Sequence, residues 1–579
     1  MPVLTGLDVV GIQGFVFGSN RLRDVVGASW LVDWATARAI GDGESEGALA
    51  ALADEQTLLA AGGNAVLKFE SLDQAKKYSA RYSRRVFDDA QGVEVVIAHR
   101  EFKPGELAKA LRALQVDLAR AKLERRPNVP LLGLSVTASC ANTGLPAIDF
   151  DPRNRLRPLS RQALQTGDRN LAKSSTERWR RLLPVGRADL DRFDFPLELD
   201  DLGSSRGERS LLGVVHIDGN SIGSRIRNWL DHHVKETKDD CLVEVQYREW
   251  SKALKTLGDT ALQAVLNRIF NAIQPRKSTD GKLSPFLTCG REYAADDGAE
   301  PRDLSFELRA VTEKERKQYG WRHDWWLPIR PILLGGDDLT FLCDGRIALD
   351  LAATALHKME ELAKSVPHLD ADKKPITACA GVAIVPHHAP FVRSYELAEA
   401  LCQSAKRKSR AMEQNGQHAS CIDWHVGLPK PGLSVRDVRE REYAIVGDNG
   451  HTQSLTCRPY AIVPLDPENC ELSWHWLDET LLDDAKAGLR ASKVWNGRRN
   501  KVKELREVLR SGPKADEAVT AAIQRWQVVT PGLGLPSPIN KDGGFLDRNR
   551  TPLLDALELL DLHLPLGPIA AAPTQETTP

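Results

Sequence analysis

Paired cysteines, long apolar runs and an excess of charge of one sign are all missing from this 579-residue chain. Its nine cysteines, at 140, 241, 289, 343, 379, 402, 421, 457 and 470, are scattered and include no Cys-x-x-Cys. Such a set argues against a disulfide framework and a cysteine-only zinc ribbon, and fits a reducing cytoplasm. No stretch of eighteen apolar residues occurs, so no membrane partner is expected. The opening Met-Pro-Val-Leu-Thr-Gly-Leu-Asp has no basic segment ahead of an apolar core, and no secretory signal is expected. A net charge of −1 excludes a globally basic nucleic-acid coat but leaves room for a local basic groove. The 42% apolar and 27% charged residues are those of a soluble globular protein. At about 150 residues per domain, three to four domains are expected.

The region 1–132 opens with an apolar strand at 7–12 and a helix over 23–37. Apolar runs at 58–61 and 65–69 flank Gly62-Gly63-Asn64 and predict a hairpin. A helix over 71–85 and a buried strand over 93–98 follow. Residues 133–205 turn charged and loop-rich and read as a connector. In 206–427 an apolar strand at 211–217 runs into Asp218-Gly219-Asn220-Ser221-Ile222-Gly223, followed by a helix over 247–272. After a polar, irregular insertion at about 275–325 come a strand at 328–334, the turn Gly335-Gly336-Asp337-Asp338 and a strand at 339–343. A helix over 347–363, a buried strand over 376–385 and a helix over 395–412 complete a β-α-α-β-β-α-β-α order, the ferredoxin-like "palm" arrangement. The first region follows a weaker version of that order, which implies an internal duplication. Residues 428–579 are mixed to 470 and then helical at 477–489, 501–509 and 515–526. The expected fold class is therefore α+β, with two ferredoxin-like palm domains and a helical C-terminal domain.

Three carboxylates carry the chemistry. Asp218 ends a buried strand, and Asp337 and Asp338 sit on a two-glycine hairpin. In a palm sheet those strands are neighbours, so the acids converge and form an oxygen site for hard divalent cations. Two such ions can polarise an α-phosphate, help deprotonate a 3′-hydroxyl and stabilise leaving pyrophosphate. Gly335 and Gly336 allow tight turn geometry and a close approach to phosphate. Gly219 and Gly223 do the same where strand meets helix, and that helix N-terminus offers free N–H groups. Lys406 could reach a triphosphate as a point charge, or lie on a solvated helix face within Lys406-Arg407-Lys408-Ser409-Arg410. Each motif alone has a plainer reading, a surface turn or a helix cap; both together, each at the end of a buried strand, are more specific.

Asp218-Gly-Asn-Ser-Ile-Gly, Leu334-Gly-Gly-Asp-Asp-Leu, Ala380-Gly-Val-Ala-Ile-Val and Glu396-Leu-Ala-Glu-Ala-Leu-Cys-Gln-Ser-Ala-Lys406 resemble, in order, the catalytic palm of the large subunit of type III CRISPR effector complexes. That family is related to GGDEF and adenylyl cyclase palms. Gly11-Ile-Gln-Gly-Phe-Val-Phe and Arg21-Leu-Arg-Asp-Val-Val-Gly-Ala-Ser-Trp resemble its first palm. The resemblance covers roughly 1–130 and 206–460. It implies that Asp218, Gly219, Asp337 and Asp338 hold two magnesium or manganese ions. It implies that Gly219, Asn220, Ser221, Gly223, Gly335, Gly336 and Lys406 contact substrate. It further implies conversion of ATP into cyclic oligoadenylates or related messengers in antiviral defence, with guide and target RNA and other type III subunits as partners.

Several features depart from the family. Gly62-Gly63-Asn64 lacks the acids, which leaves the first palm to hold a second nucleotide or to give structural support. The chain starts at the first palm without an N-terminal HD nuclease domain, so no DNase activity is expected. His323-Asp324 and Asp231-His-His233 are isolated and are not expected to form metal centres. Between the palms only Cys140 remains of a zinc segment, so no structural zinc is expected. The basic stretch from Lys493 to Arg506, around Trp495, reads as a solvated helix face, an RNA contact, or, by resemblance, a subunit-docking surface. Two alternatives stay open: a scaffold subunit that only senses nucleotide, and a stand-alone defence cyclase.

Overall fold

The computed structural model describes residues 1–38, 56–125, 136–152, 154–202, 210–278, 281–291, 304–364, 374–446, 452–464, 472–495, 498–510, 512, 514–540, 543–546 and 549–567. The expected loop at Gly203-Ser-Ser-Arg-Gly and the Asn496-Gly497 part of the basic stretch lie outside them. No described helix is long and apolar enough to cross a membrane.

Two mixed helix–sheet units share one strand order. The first sheet runs Thr57–Ala61, Asn64–Phe69, Val3–Val10, Glu94–Glu101, all antiparallel. In order of appearance these are its second, third, first and fourth strands. The second sheet repeats that sequence with Ile329–Leu334, Leu339–Asp344, Leu211–Gly219 and Ala378–Pro386, then adds Cys421–Val426 and Tyr460–Ala461. The two-residue turn Gly62-Gly63 closes the first hairpin, and both glycines take positive φ, at 61° and 84°. Leu72–Asp89 starts where Ser71 accepts from the Gln74 N–H at 3.3 Å, one of the orphan donors of a helix start.

The apolar run at 211–217 is continuous because both faces of its strand are covered. Val215 and Ile217 pack with Leu257, Ala261 and Val265 of the helix Asp240–Ala272 and with Ala348–Ala363. Leu212 and Val214 face the other way, onto Tyr395, Ala398 and Leu401 of Phe391–Gln414 and onto Val25 of Leu22–Asp33. A helix of the first region thus caps the second sheet. Gly381 lets the helix Phe391–Gln414 lie close: a Cβ there would sit 1.9 Å from the Ala398 carbonyl oxygen.

Three expectations need correction. The described part of 133–205 is not loop-rich throughout. It holds the hairpin Asp149–Asp151 with Asn154–Leu159 and the helices Arg161–Thr166 and Arg169–Arg180. Asp168 caps the longer helix, and the buried guanidinium of Arg178 stacks 3.9 Å from the Trp179 ring, so charge in this segment is a poor sign of exposure. The described part of the insertion is not irregular: Ile273–Lys277, Leu283–Leu287 and Phe306–Glu307 form a sheet, and Thr312 with Glu315 builds a capping box on Glu313–Tyr319. Finally, no α-helix spans 477–489. A π-helical segment, Trp476–Leu482, ends where the chain folds back, with Leu489 donating to the Leu481 carbonyl at 2.9 Å. Burying Asp478 and Asp483 against Arg291 and Arg490 outweighs regular helix there.

Candidate active site

Strand pairing brings the acids together. Asp218 pairs with Cys379 on one side, while Ile217 pairs with Leu339 of the hairpin on the other. The next step along that ladder sets Asp218 beside Asp338. The Gly219 N–H donates to the Asp337 carbonyl at 3.1 Å, and the Gly335 N–H donates to the Asp338 carbonyl at 2.7 Å, which closes the turn. A Cβ on Gly219 would lie 2.8 Å from the Asp337 Cβ, so only glycine fits that approach. Gly336 takes φ 91° and packs on the long helix at Gly258, where a Cβ would come within 2.3 Å of the Gly336 carbonyl oxygen.

Lys406 is buried, not on a solvated face, and its Nζ lies 2.5 Å from Asp218 Oδ2. It also faces the Gly219 carbonyl at 3.5 Å. Burial, reinforced by the charge of Asp218, pushes Asp337 and Asp338 up to about 7. Asp338 Oδ1 is buried without a hydrogen-bond partner, although 41% of that side chain is exposed. His216 Nδ1 lies 3.5 Å from it and 3.0 Å from Thr340 Oγ1. Burial lowers the His216 pKa, so the ring is neutral near pH 7 and adds no balancing charge.

The remaining expected residues divide. Asn220 is buried, and its amide nitrogen faces Thr377 Oγ1 at 2.8 Å and Ser409 Oγ at 3.1 Å, tying the strand end to its neighbours. Ser221 has φ 60°, a left-handed geometry uncommon for a residue with a side chain, and starts the helix Ile222–Glu236. Ser221 and Gly223 are exposed at that helix start. Sequence reasoning missed His216, Thr340 and Gly258. A histidine inside an apolar strand and a glycine inside a long helical pattern were the available signals.

The first sheet has the same corner. Asp8 pairs in register with Asn64, and Lys122 of Leu107–Glu124 lies 2.5 Å from Asp8 Oδ2. With its amide turned nitrogen-inward, Asn64 donates to both Asp8 oxygens at 3.1 and 3.2 Å. The hairpins touch: a Cβ on Gly62 would come within 3.0 Å of the Gly335 carbonyl oxygen. Beside that contact a cleft of about 50 Å³, lined by Ile12, Ser29, Asp33, Gly63 and Gly335, reaches Asp338.

Once ionised, three carboxylates against one lysine leave an excess of two negative charges on hard oxygen donors, a state that a bound cation would favour. The donor set, with the Gly219 carbonyl beside it, fits a divalent cation of the magnesium or manganese class.

No family model matches the chain, and no curated relative matches it. Among solved structures, it is similar to a chain of the Csm1-Csm4 cassette in complex with cA4, at 13% identity and a TM-score of 0.46, with 96% of this chain and 70% of that chain covered. It is similar to Csm1 of T. onnurineus at 14% identity and a TM-score of 0.46, with 97% and 69% covered. A third likeness is the Csm1-Csm4 cassette in complex with AMPPNP, at 15% identity and a TM-score of 0.46, with 97% and 69% covered. These are subunits of type III CRISPR complexes, the assemblies whose large subunit the sequence motifs resemble.

Proposed function

We propose that the chain is a metal-dependent nucleotidyltransferase that joins ATP into cyclic oligoadenylate-type messengers, working as the large subunit of a type III CRISPR-like defence complex. In this reading the two sheets are palm domains, the second catalytic and the first degenerate. The observation that supports it is the convergence of Asp218, Asp337 and Asp338 at one strand end, next to a buried lysine.

Asp218, Asp337, Asp338 and the Gly219 carbonyl would hold two magnesium or manganese ions. When bound, these supply Lewis-acid polarisation of an α-phosphate and charge neutralisation of the leaving pyrophosphate. The protein's own part is placement. Lys406 carries a positive charge at the acids and is sited to pair with a triphosphate oxygen. The glycines of the hairpin remove side chains from the path of the phosphates. The exposed start of Ile222–Glu236 presents backbone N–H groups to anionic oxygens. A 3′-hydroxyl attacks the α-phosphorus, the bond to the β-phosphate breaks, and pyrophosphate leaves with the proton passing to solvent.

The test is incubation with ATP and manganese, with and without RNA, followed by analysis for pyrophosphate and cyclic products. Product formation is expected in the native chain and not in the Asp337→Ala/Asp338→Ala chain; equal formation by both would overturn the reading.

A further inference from the structure

A second group of metal-ligating side chains lies at the other end of the second sheet. The strand Ala378–Pro386 pairs Cys379 with Asp218 at one end and Pro386 with Leu211 at the other. His387 and His388 follow that second end, and Asp200 reaches it from the turn Leu199–Asp201. One ring nitrogen from each histidine and a carboxylate oxygen of Asp200 lie within 4.8 Å of one another.

The tautomer of His387 is set by its surroundings. Its Nε2 lies 2.5 Å from the Leu199 carbonyl oxygen, which can only accept, so Nε2 carries a proton. Nδ1 is then the ring atom left to reach an ion, and it lies 3.8 Å from Asp200 Oδ1. Histidines that bind metals commonly donate their other ring N–H to a backbone carbonyl in this way. His387 is 6% exposed and held in place, while Asp200 and His388 are exposed and can adjust around an ion. The nearby guanidinium of Arg309 binds Asp201 at 2.9 Å, Glu315 at 2.7 Å and the Asp200 backbone carbonyl at 3.1 Å, which holds the Leu199–Asp201 turn in place.

We propose that Asp200, His387 and His388 bind a borderline divalent transition cation of the zinc class, with further coordination positions open to solvent. Two imidazoles and one carboxylate select such ions over magnesium, which the all-oxygen corner at Asp218 suits better. The sequence expectation of no structural zinc rested on the missing cysteines, and this ligand set uses none. The site pins the segment entering the central strand to the segment leaving its neighbour.

The test titrates chelator-stripped full-length protein with Zn²⁺ by calorimetry and with Co²⁺ by absorption spectroscopy. It compares the native chain, the Asp337→Asn/Asp338→Asn chain and the His388→Ala chain. Zinc binding is expected to survive loss of the hairpin acids and to weaken at least about tenfold in His388→Ala, as losses around metal ligands typically do. The ligand-field absorption of cobalt is expected to change in His388→Ala alone. An isotherm unchanged in His388→Ala overturns the proposal. So does zinc binding that disappears wholly with Asp337 and Asp338. His388 is exposed, so its replacement leaves the core intact, and far-ultraviolet circular dichroism checks this.

Discussion

In the first sheet Asp8 faces an asparagine and a lysine; in the second, Asp218 faces two aspartates and a lysine. The lysines are equivalent, each on the helix that follows the fourth strand and each 2.5 Å from its aspartate. The first corner closes on a near-neutral set, Asp8 with Lys122 and the Asn64 amide. Fully ionised, the second would carry two negative charges beyond what Lys406 neutralises, and the cost shows as Asp337 and Asp338 pushed up to about 7. The first sheet closes the same corner without hairpin acids, so folding does not demand them. Charge that the fold does not need, held where it is costly, is what supports the proposed role of this corner.

The strongest way to break the comparison is to make the second corner resemble the first. Asp337→Asn/Asp338→Asn is expected to lower cyclic-product formation by at least about a thousandfold, while the melting temperature of metal-free protein stays level or rises. An Asp8→Asn chain assayed alongside should keep its product rate; a comparable loss there would mean the corners are not distinct in function.

Gly258→Ala sharpens the point about placement. The new Cβ would meet the Gly336 carbonyl at 2.3 Å and shift the acid hairpin. Displacement of this kind costs about a hundredfold in rate, with an overpacking penalty of about 1–3 kcal/mol in denaturant titration.

The pH dependence follows from the direction of the shifts. Folding raises the pKa of Asp337 and Asp338 to about 7, from about 4 in the unfolded chain. The folded state therefore holds these protons more tightly. The stability they contribute is fully present below about pH 4 and is lost as pH rises through about 7. Metal-free protein should lose melting temperature across that window. Added magnesium should raise it more near pH 8 than near pH 5, and the Asp337→Asn/Asp338→Asn chain should show neither effect.

The smallest effect is expected at the first corner. Lys122→Met leaves Asp8 largely buried beside the Asn64 amide, but the lysine is 40% exposed, so the loss is about 1 kcal/mol or less. Product formation should be unchanged, whereas Lys406→Met should reduce it.

Local pattern accounts for what was legible. The strand ending at Asp218, the two-glycine hairpin and the helix bearing Lys406 are short motifs whose spacing fixes their structure. The hairpin at Gly62-Gly63 was legible for the same reason. The Asp8–Lys122 pair was not, because nothing local links two residues 114 positions apart. The insertion hid its strands because they are short and only partly apolar, Ile273–Lys277 being Ile-Gln-Pro-Arg-Lys. The segment after Trp476 carried helical spacing, but Arg291, 187 residues from Asp478, dictates how that segment folds. Lys406 was ambiguous because its basic neighbours suggested a wet surface; burial against Asp218 becomes visible only once the sheet exists.

Where Gly62 meets Gly335, two backbones touch with no side chain between them to absorb a displacement. The turn that carries Asp337 and Asp338 therefore rests directly on the backbone of the first hairpin. A side chain added at either glycine would pry the two hairpins apart where they abut.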